Sequence, residues 1–149
     1  MNSHLPFRCV LILITLTFSL FAEDDKKEAS IEVRLAAAKN VLTESSQITL
    51  IYVQGLVCPS CAIGIRKNLS KMDGVDVSRF KQGIDINPET QLVTIALLDD
   101  VSLDQKDLIE RVEDAGYIAI EEYKLHDGHL DAHRYKHDAS AKIVHYTQD

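Results

Sequence analysis

Cysteine is scarce in this 149-residue chain: Cys9, Cys58 and Cys61 are all it has. Cys9 falls in an apolar run near the start, which leaves two in the body of the chain. Two cannot build the bridge framework that staples small secreted domains, where roughly four to eight are usual, so they point to chemistry rather than scaffolding. Histidine is missing from residues 23 to 125, which removes Ser-His-Asp chemistry from that stretch. The acids there are scattered over helix faces rather than paired for acid–base work, and no glycine loop has phosphate-cradling spacing. No catalytic constellation is left, and the chain reads as non-enzymatic. Positive charge is also short, with 16 Lys+Arg against 23 Asp+Glu and a formal net charge of -7, which argues against nucleic acid as a partner.

What the sequence does have begins with Arg8 and the apolar run from Val10 to Ala22, ahead of Glu23-Asp24-Asp25-Lys26-Lys27. This is the layout of a secretory signal peptide over 1–22. The run is shorter than the ~20 apolar residues that cross a bilayer, so no membrane span is expected after cleavage. The exported chain, placed in the periplasm, would lose Arg8 and no acid, leaving 15 Lys+Arg, 23 Asp+Glu and a net charge of -8.

In residues 23–46 a charged stretch leads into Ile31, Leu35, Ala38 and Leu42, the spacing of an amphipathic helix. This helix would pack on the following domain or form a dimer contact. Residues 47–124 then alternate in type. Ile48 to Val53 reads as a strand. Ile65, Leu69 and Met72 trace a helix opening near Ser60 and closing at Asp73-Gly74. Val75, Val77, Ile84 and Ile86 suggest a second strand, Asn87 to Thr90 a turn, and Leu92 to Leu98 a third strand. Leu103 to Ala115 reads as a helix ended by Gly116, and Tyr117 to Tyr123 as a fourth strand. The order β-α-β-β-α-β predicts an α+β, ferredoxin-like sandwich with both helices on one face of a four-stranded antiparallel sheet. A His-rich tail, 125–149, closes the chain.

Cys58-Pro59-Ser60-Cys61 sits where the first strand gives way to a helix. The N–H groups there favour thiolates, with Cys61 gaining most. Paired thiolates select soft or borderline ions such as Cu(I), Zn(II), Cd(II) and Hg(II), and two sulfurs suit a low-coordinate ion better than four-coordinate Zn(II). A thiol–disulfide exchange pair, Cys58 attacking and Cys61 resolving, is the main alternative. A thioredoxin-type domain, however, wants a late proline beside its cysteines, and beyond the leader only Pro59 and Pro88 occur. An interaction adaptor with an acidic partner face is a third reading. Arg66 and Lys67 could offset a bis-thiolate complex or simply be solvated helix charges. In the tail His129, His133 and His137 recur every four residues. On a helix they would share a face able to chelate Zn(II), Cu(II) or Ni(II).

The string Gly55-Leu56-Val57-Cys58-Pro59-Ser60-Cys61, with Ile65, Leu69, Gly74-Val75 and Val112-Glu113-Asp114-Ala115-Gly116-Tyr117, resembles the heavy-metal-associated domain family. The resemblance covers about residues 47–123. It implies the ferredoxin-like fold and one soft ion on Cys58 and Cys61, Cu(I) by preference. It also implies ligand exchange with a metal transporter or another carrier. Leu56 stands where the family has Met beneath the loop, Val57 where it has a polar residue, and Arg79 to Gly83 lengthen the hairpin. Tyr117 is either a core aromatic or a shield over the metal loop.

Overall fold

In a computed structural model, residues 28–137 and the backbone of 142–145 are described. The leader expected over 1–22 lies outside the described residues. Three helices, α1 (Ile31–Glu44), α2 (Ala62–Leu69) and α3 (Gln105–Asp114), accompany six strands: β1 (Ile48–Gln54), β2 (Ile84–Asn87), β3 (Leu92–Ala96), β4 (Ile118–His126), β5 (His129–Arg134) and β6 (Lys142–His145). The strands form one sheet in the order β2-β3-β1-β4-β5-β6, and every pairing is antiparallel. The first four strands in that order, with α2 and α3, make the β-α-β-β-α-β unit.

β1 has Ile51 and Val53 pointing to one face, toward α2 and α3, and Leu50 and Tyr52 to the other. All four are buried. A strand with no polar alternation is one whose sheet is covered on both sides. The second cover is α1, whose Leu35 and Ala38 pack on Leu50, Tyr52, Leu92, Tyr123, Leu130 and Ala132. Burying Leu35 alone contributes about 2 kcal/mol. With α2 and α3 on the opposite face, this is a three-layer molecule rather than an open two-layer sandwich. Leu35 and Ala38 of the α1 stripe pack within the chain, the first of the two roles its spacing allowed, and nothing in the fold supports the second, a dimer contact.

Ser30 caps α1 by accepting from the Val33 N–H (3.4 Å), and Asp104 caps α3 by accepting from Asp107 (2.8 Å). Such caps are worth about 1 kcal/mol each. α2 ends at Leu69, short of the expected Asp73-Gly74, although Met72 still reaches the core from the turn that follows. The second strand is shorter than expected. Val75 makes an isolated bridge to Leu97, Val77 is exposed, and β2 starts only at Ile84.

The larger correction concerns the fourth strand, which does not stop at Tyr123. It runs to His126, turns through Asp127-Gly128, both at positive φ (50° and 83°), and returns as β5. Two-residue turns of this kind match the natural twist of a hairpin. Leu130 and Ala132 supply the alternate apolar positions that hold β5 against α1. A bulge in β4, with Tyr52 opposite Glu121 but Val53 opposite Ala119, lets Ala119 face α2 and α3 while Glu121 faces α1. Glu121 is 2% exposed and accepts from the Tyr123 hydroxyl (2.9 Å) and from Arg134 Nη2 (3.0 Å), fastening β4 to β5. No helix among the described residues is long and apolar enough to cross a membrane.

Candidate metal centre

The cysteine loop begins where β1 runs out. Gly55 takes φ +83°, and a side chain placed there would sit 3.7 Å from the Tyr117 ring. The positive φ explains a glycine at this point, since the ring leaves ordinary contact distance for a side chain. Leu56 turns inward and is fully buried with Ile65, Leu69 and Val112. It therefore plugs the core beneath the loop, the role that the family resemblance gives to Met. Val57, Cys58 and Cys61 are half-buried, and Pro59 and Ser60 are exposed. The thiol pair is thus open to a partner on one side and backed by apolar packing on the other.

Cys61 occupies the N-cap position of α2, and its side chain makes no capping bond. Its N–H donates to the Cys58 carbonyl (3.2 Å) and to Cys58 Sγ (3.2 Å), and Ser60 Oγ lies 3.3 Å from the same sulfur. The helix-mouth donor therefore serves Cys58, where sequence reasoning had given the advantage to Cys61. The side chain pointing back over the helix N-terminus belongs to the residue before the turn, and the dipole favours negative charge there. The two Cα atoms are 5.3 Å apart, and the sulfurs are joined as a disulfide in this structure. The structure is therefore of the oxidised pair, which must be reduced before it can bind an ion.

Arg66 and Lys67 do not serve the loop. Arg66 Nε reaches the Ile84 carbonyl (3.5 Å) and Lys67 is exposed. Both sit in the last turn of α2, where positive charge complements the carbonyl end of the helix dipole. Tyr117 packs against the core and against Gly55 at once.

Sequence reasoning missed a polar support on the α1 side. Glu28 accepts from the Gly55 N–H (3.1 Å) and from the Tyr52 hydroxyl (3.2 Å). Arg34, 6% exposed, stacks its guanidinium 3.5 Å over the Tyr52 ring and donates to the Ala29 carbonyl (2.9 Å). Ala29 N–H in turn reaches the side chain of fully buried Gln91 (3.0 Å). Burial pushes the Tyr52 pKa up; Glu28 adds to this and Arg34 opposes it, so the hydroxyl keeps its proton and donates. The segment before α1 thus grips the first residue of the cysteine loop. Nothing in a run of charges announces which acid will do so. The one available signal was Arg34 beside Leu35, a cation on the buried side of an amphipathic helix.

The histidine reading is corrected. His129 and His133 lie on strand β5 and not on a helix, and residues four apart on a strand are separated by about 13 Å, too far to share an ion. His137 is elsewhere, with Nδ1 2.8 Å from Glu113 Oε1 on α3. Strand pairing in the hairpin sets the spacing here, and helical periodicity does not apply. Among the described residues no three His, Cys, Asp or Glu side chains gather as an ion cage.

Comparison with known proteins agrees with the geometry. The heavy-metal-associated domain matches residues 50–117, a span that opens within β1 and closes at Tyr117. The chain is 31% identical over 83 residues to the mercuric transport protein periplasmic component of Pseudomonas fluorescens, an overlap covering 56% of this chain and 84% of that protein. No solved structure gives a significant match. The fold, the cysteine loop at the mouth of α2 and this similarity lead to one conclusion: the chain belongs to the heavy-metal-associated domain family.

Proposed function

We propose that this protein is an exported, non-enzymatic carrier that takes a thiophilic cation on Cys58 and Cys61 and hands it to a metal transporter or another carrier by thiolate exchange. The observation that carries this reading is the Cys61 N–H aimed at Cys58 Sγ in a half-exposed loop. A hydrogen bond to the thiolate stabilises its charge and leaves lone pairs free for metal. The cargo is a two-coordinate soft ion. Cu(I) suits the donor set and is the ion the family resemblance favours, and the similarity to a mercuric transport component brings Hg(II) beside it. Zn(II) ranks behind both, since it would need two further ligands. That relative is also the support for a periplasmic location. Transfer needs no cavity: a partner thiolate can attack the ion from the open side while the apolar plug keeps the loop in shape.

The joined sulfurs favour one second reading, thiol–disulfide exchange. In an oxidising compartment the carrier reading requires a reductant or prior metal loading to keep the pair open. Titration of the reduced protein with Cu(I) and with Hg(II), each against a competing thiol chelator, separates the two. One ion per chain, lost in Cys58→Ser and in Cys61→Ser, is the expected result. Metal-independent turnover of a disulfide substrate, with no ion retained against the chelator, would replace the carrier with the exchanger.

A further inference from the structure

All five histidines beyond residue 23 fall between 126 and 145, and strand pairing arranges them in a way their spacing does not disclose. β4 and β5 meet with His126 opposite His129, Lys124 opposite Asp131 and Glu122 opposite His133. Directly opposed residues share a face of the sheet, as do residues two apart along one strand. His126, His129 and His133 therefore stand on one face, while Leu130 and Ala132 occupy the other beneath α1. β6 brings the backbone of His145 opposite Asp131.

We propose that His126 and His129 form a second metal site, a two-imidazole chelate for a borderline divalent ion such as Cu(II), Ni(II) or Zn(II), separate from the thiol pair. Opposed residues on an antiparallel pair have Cβ atoms about 5 Å apart, a spacing from which two imidazoles can take neighbouring positions on one ion. The Asp127-Gly128 turn, with both residues at positive φ, pins the register, so the pair cannot slide apart. Both histidines are exposed. Lys124, the next residue along on the same face, is held by Glu122 (3.2 Å), which blunts its repulsion of a cation. With no third protein donor gathered among the described residues, water completes the coordination.

The donor chemistry differs from that of the loop: imidazole nitrogen suits borderline divalent ions, whereas thiolate takes the soft ones. β4 starts just after Tyr117, beside the cysteine loop, and ends at His126, so about 25 Å of strand separates the two sites. They hold different ions and share none.

The test uses the full chain carrying Cys9→Ser, with the Cys58–Cys61 disulfide intact, so that no free thiol can serve as a ligand, and Cu(II) as the probe. Calorimetry should give one ion per chain, with nitrogen hyperfine structure in the electron paramagnetic resonance spectrum. His126→Ala and His129→Ala should each weaken binding at least about tenfold, and His137→Ala should leave it unchanged. The site is overturned if the oxidised protein takes up no Cu(II), or if uptake survives both hairpin substitutions, or if His133→Ala or His137→Ala abolishes it instead. Because the thiols are blocked, failure here leaves the carrier reading standing. Failure of the reduced protein to bind Cu(I) or Hg(II) would likewise leave this site standing.

Discussion

The sheet carries sulfur at one end and imidazole at the other, and the two ends are built by different means. At the sulfur end the donors are three residues apart in sequence, on a loop between a strand and the helix it feeds, with Leu56 locking the loop to the core. At the imidazole end the donors are also three residues apart, yet what brings them together is the pairing of β4 with β5. Equal sequence spacing thus yields a site by helix geometry in one case and by hairpin register in the other. The first is anchored on both sides of the sheet, by the α2/α3 core and by Glu28 from before α1. The second lies at the open tip of a hairpin, held by the turn, by Leu130 and Ala132 beneath α1, and by the Glu121–Arg134 bond.

This contrast can be broken or sharpened in four ways. The largest expected effect is at the sulfurs: Cys58→Ser or Cys61→Ser should lower soft-ion affinity by a factor of at least about a thousand, some 4 kcal/mol, in competition titrations. Divalent binding at the hairpin should stay intact. Next, Leu56→Ala empties a fully buried position and should cost about 2–5 kcal/mol of stability in denaturant unfolding, with the soft-ion affinity falling too. A stable variant with normal affinity would show that the plug does not hold the loop.

On the other side of the contrast, Arg134→Ala leaves the buried Glu121 carboxylate accepting from the Tyr123 hydroxyl but not from a cation. The Arg134→Ala change should cost about 1–3 kcal/mol, and faster amide exchange should be confined to β4 and β5 rather than the cysteine loop. The smallest effect is expected from Glu28→Ala, which removes the acceptor for Gly55 N–H and Tyr52 OH. About 1 kcal/mol, or roughly fivefold in soft-ion affinity, should be lost at the thiols and nothing at the hairpin. A drop at both ends would mean that Glu28 supports the whole molecule and not the loop.

Much of the central unit was legible because its signals are local. The period-two run of β3, the helical spacing of Ile65 with Leu69 and of Leu108 with Val112, and the Asn87 turn that accepts from Glu89 and Thr90 each occupy a few consecutive residues. The covered second face was also written in the chain, as the unbroken apolar run Leu50 to Val53, but such a run says that both sides are buried without saying by what. The histidines were misread because a spacing of four fits both a helix face and a strand face. The hints of the strand were the Asp127-Gly128 pair, which favours a tight hairpin turn, and the alternating Leu130 and Ala132.

The sequence by itself determined the alternation of elements and the position of two thiols at a strand-to-helix junction, since periodicity, caps and motif spacing are set by neighbouring residues. Tertiary structure alone decided that α1 closes the second face and that Glu28 grips Gly55. It also decided that Cys58 rather than Cys61 receives the helix-mouth N–H, and that His126 meets His129 while His137 leaves for Glu113. Those are choices of partner between segments that a chain can align in several ways. They are settled only when packing and register across the whole sheet are satisfied together.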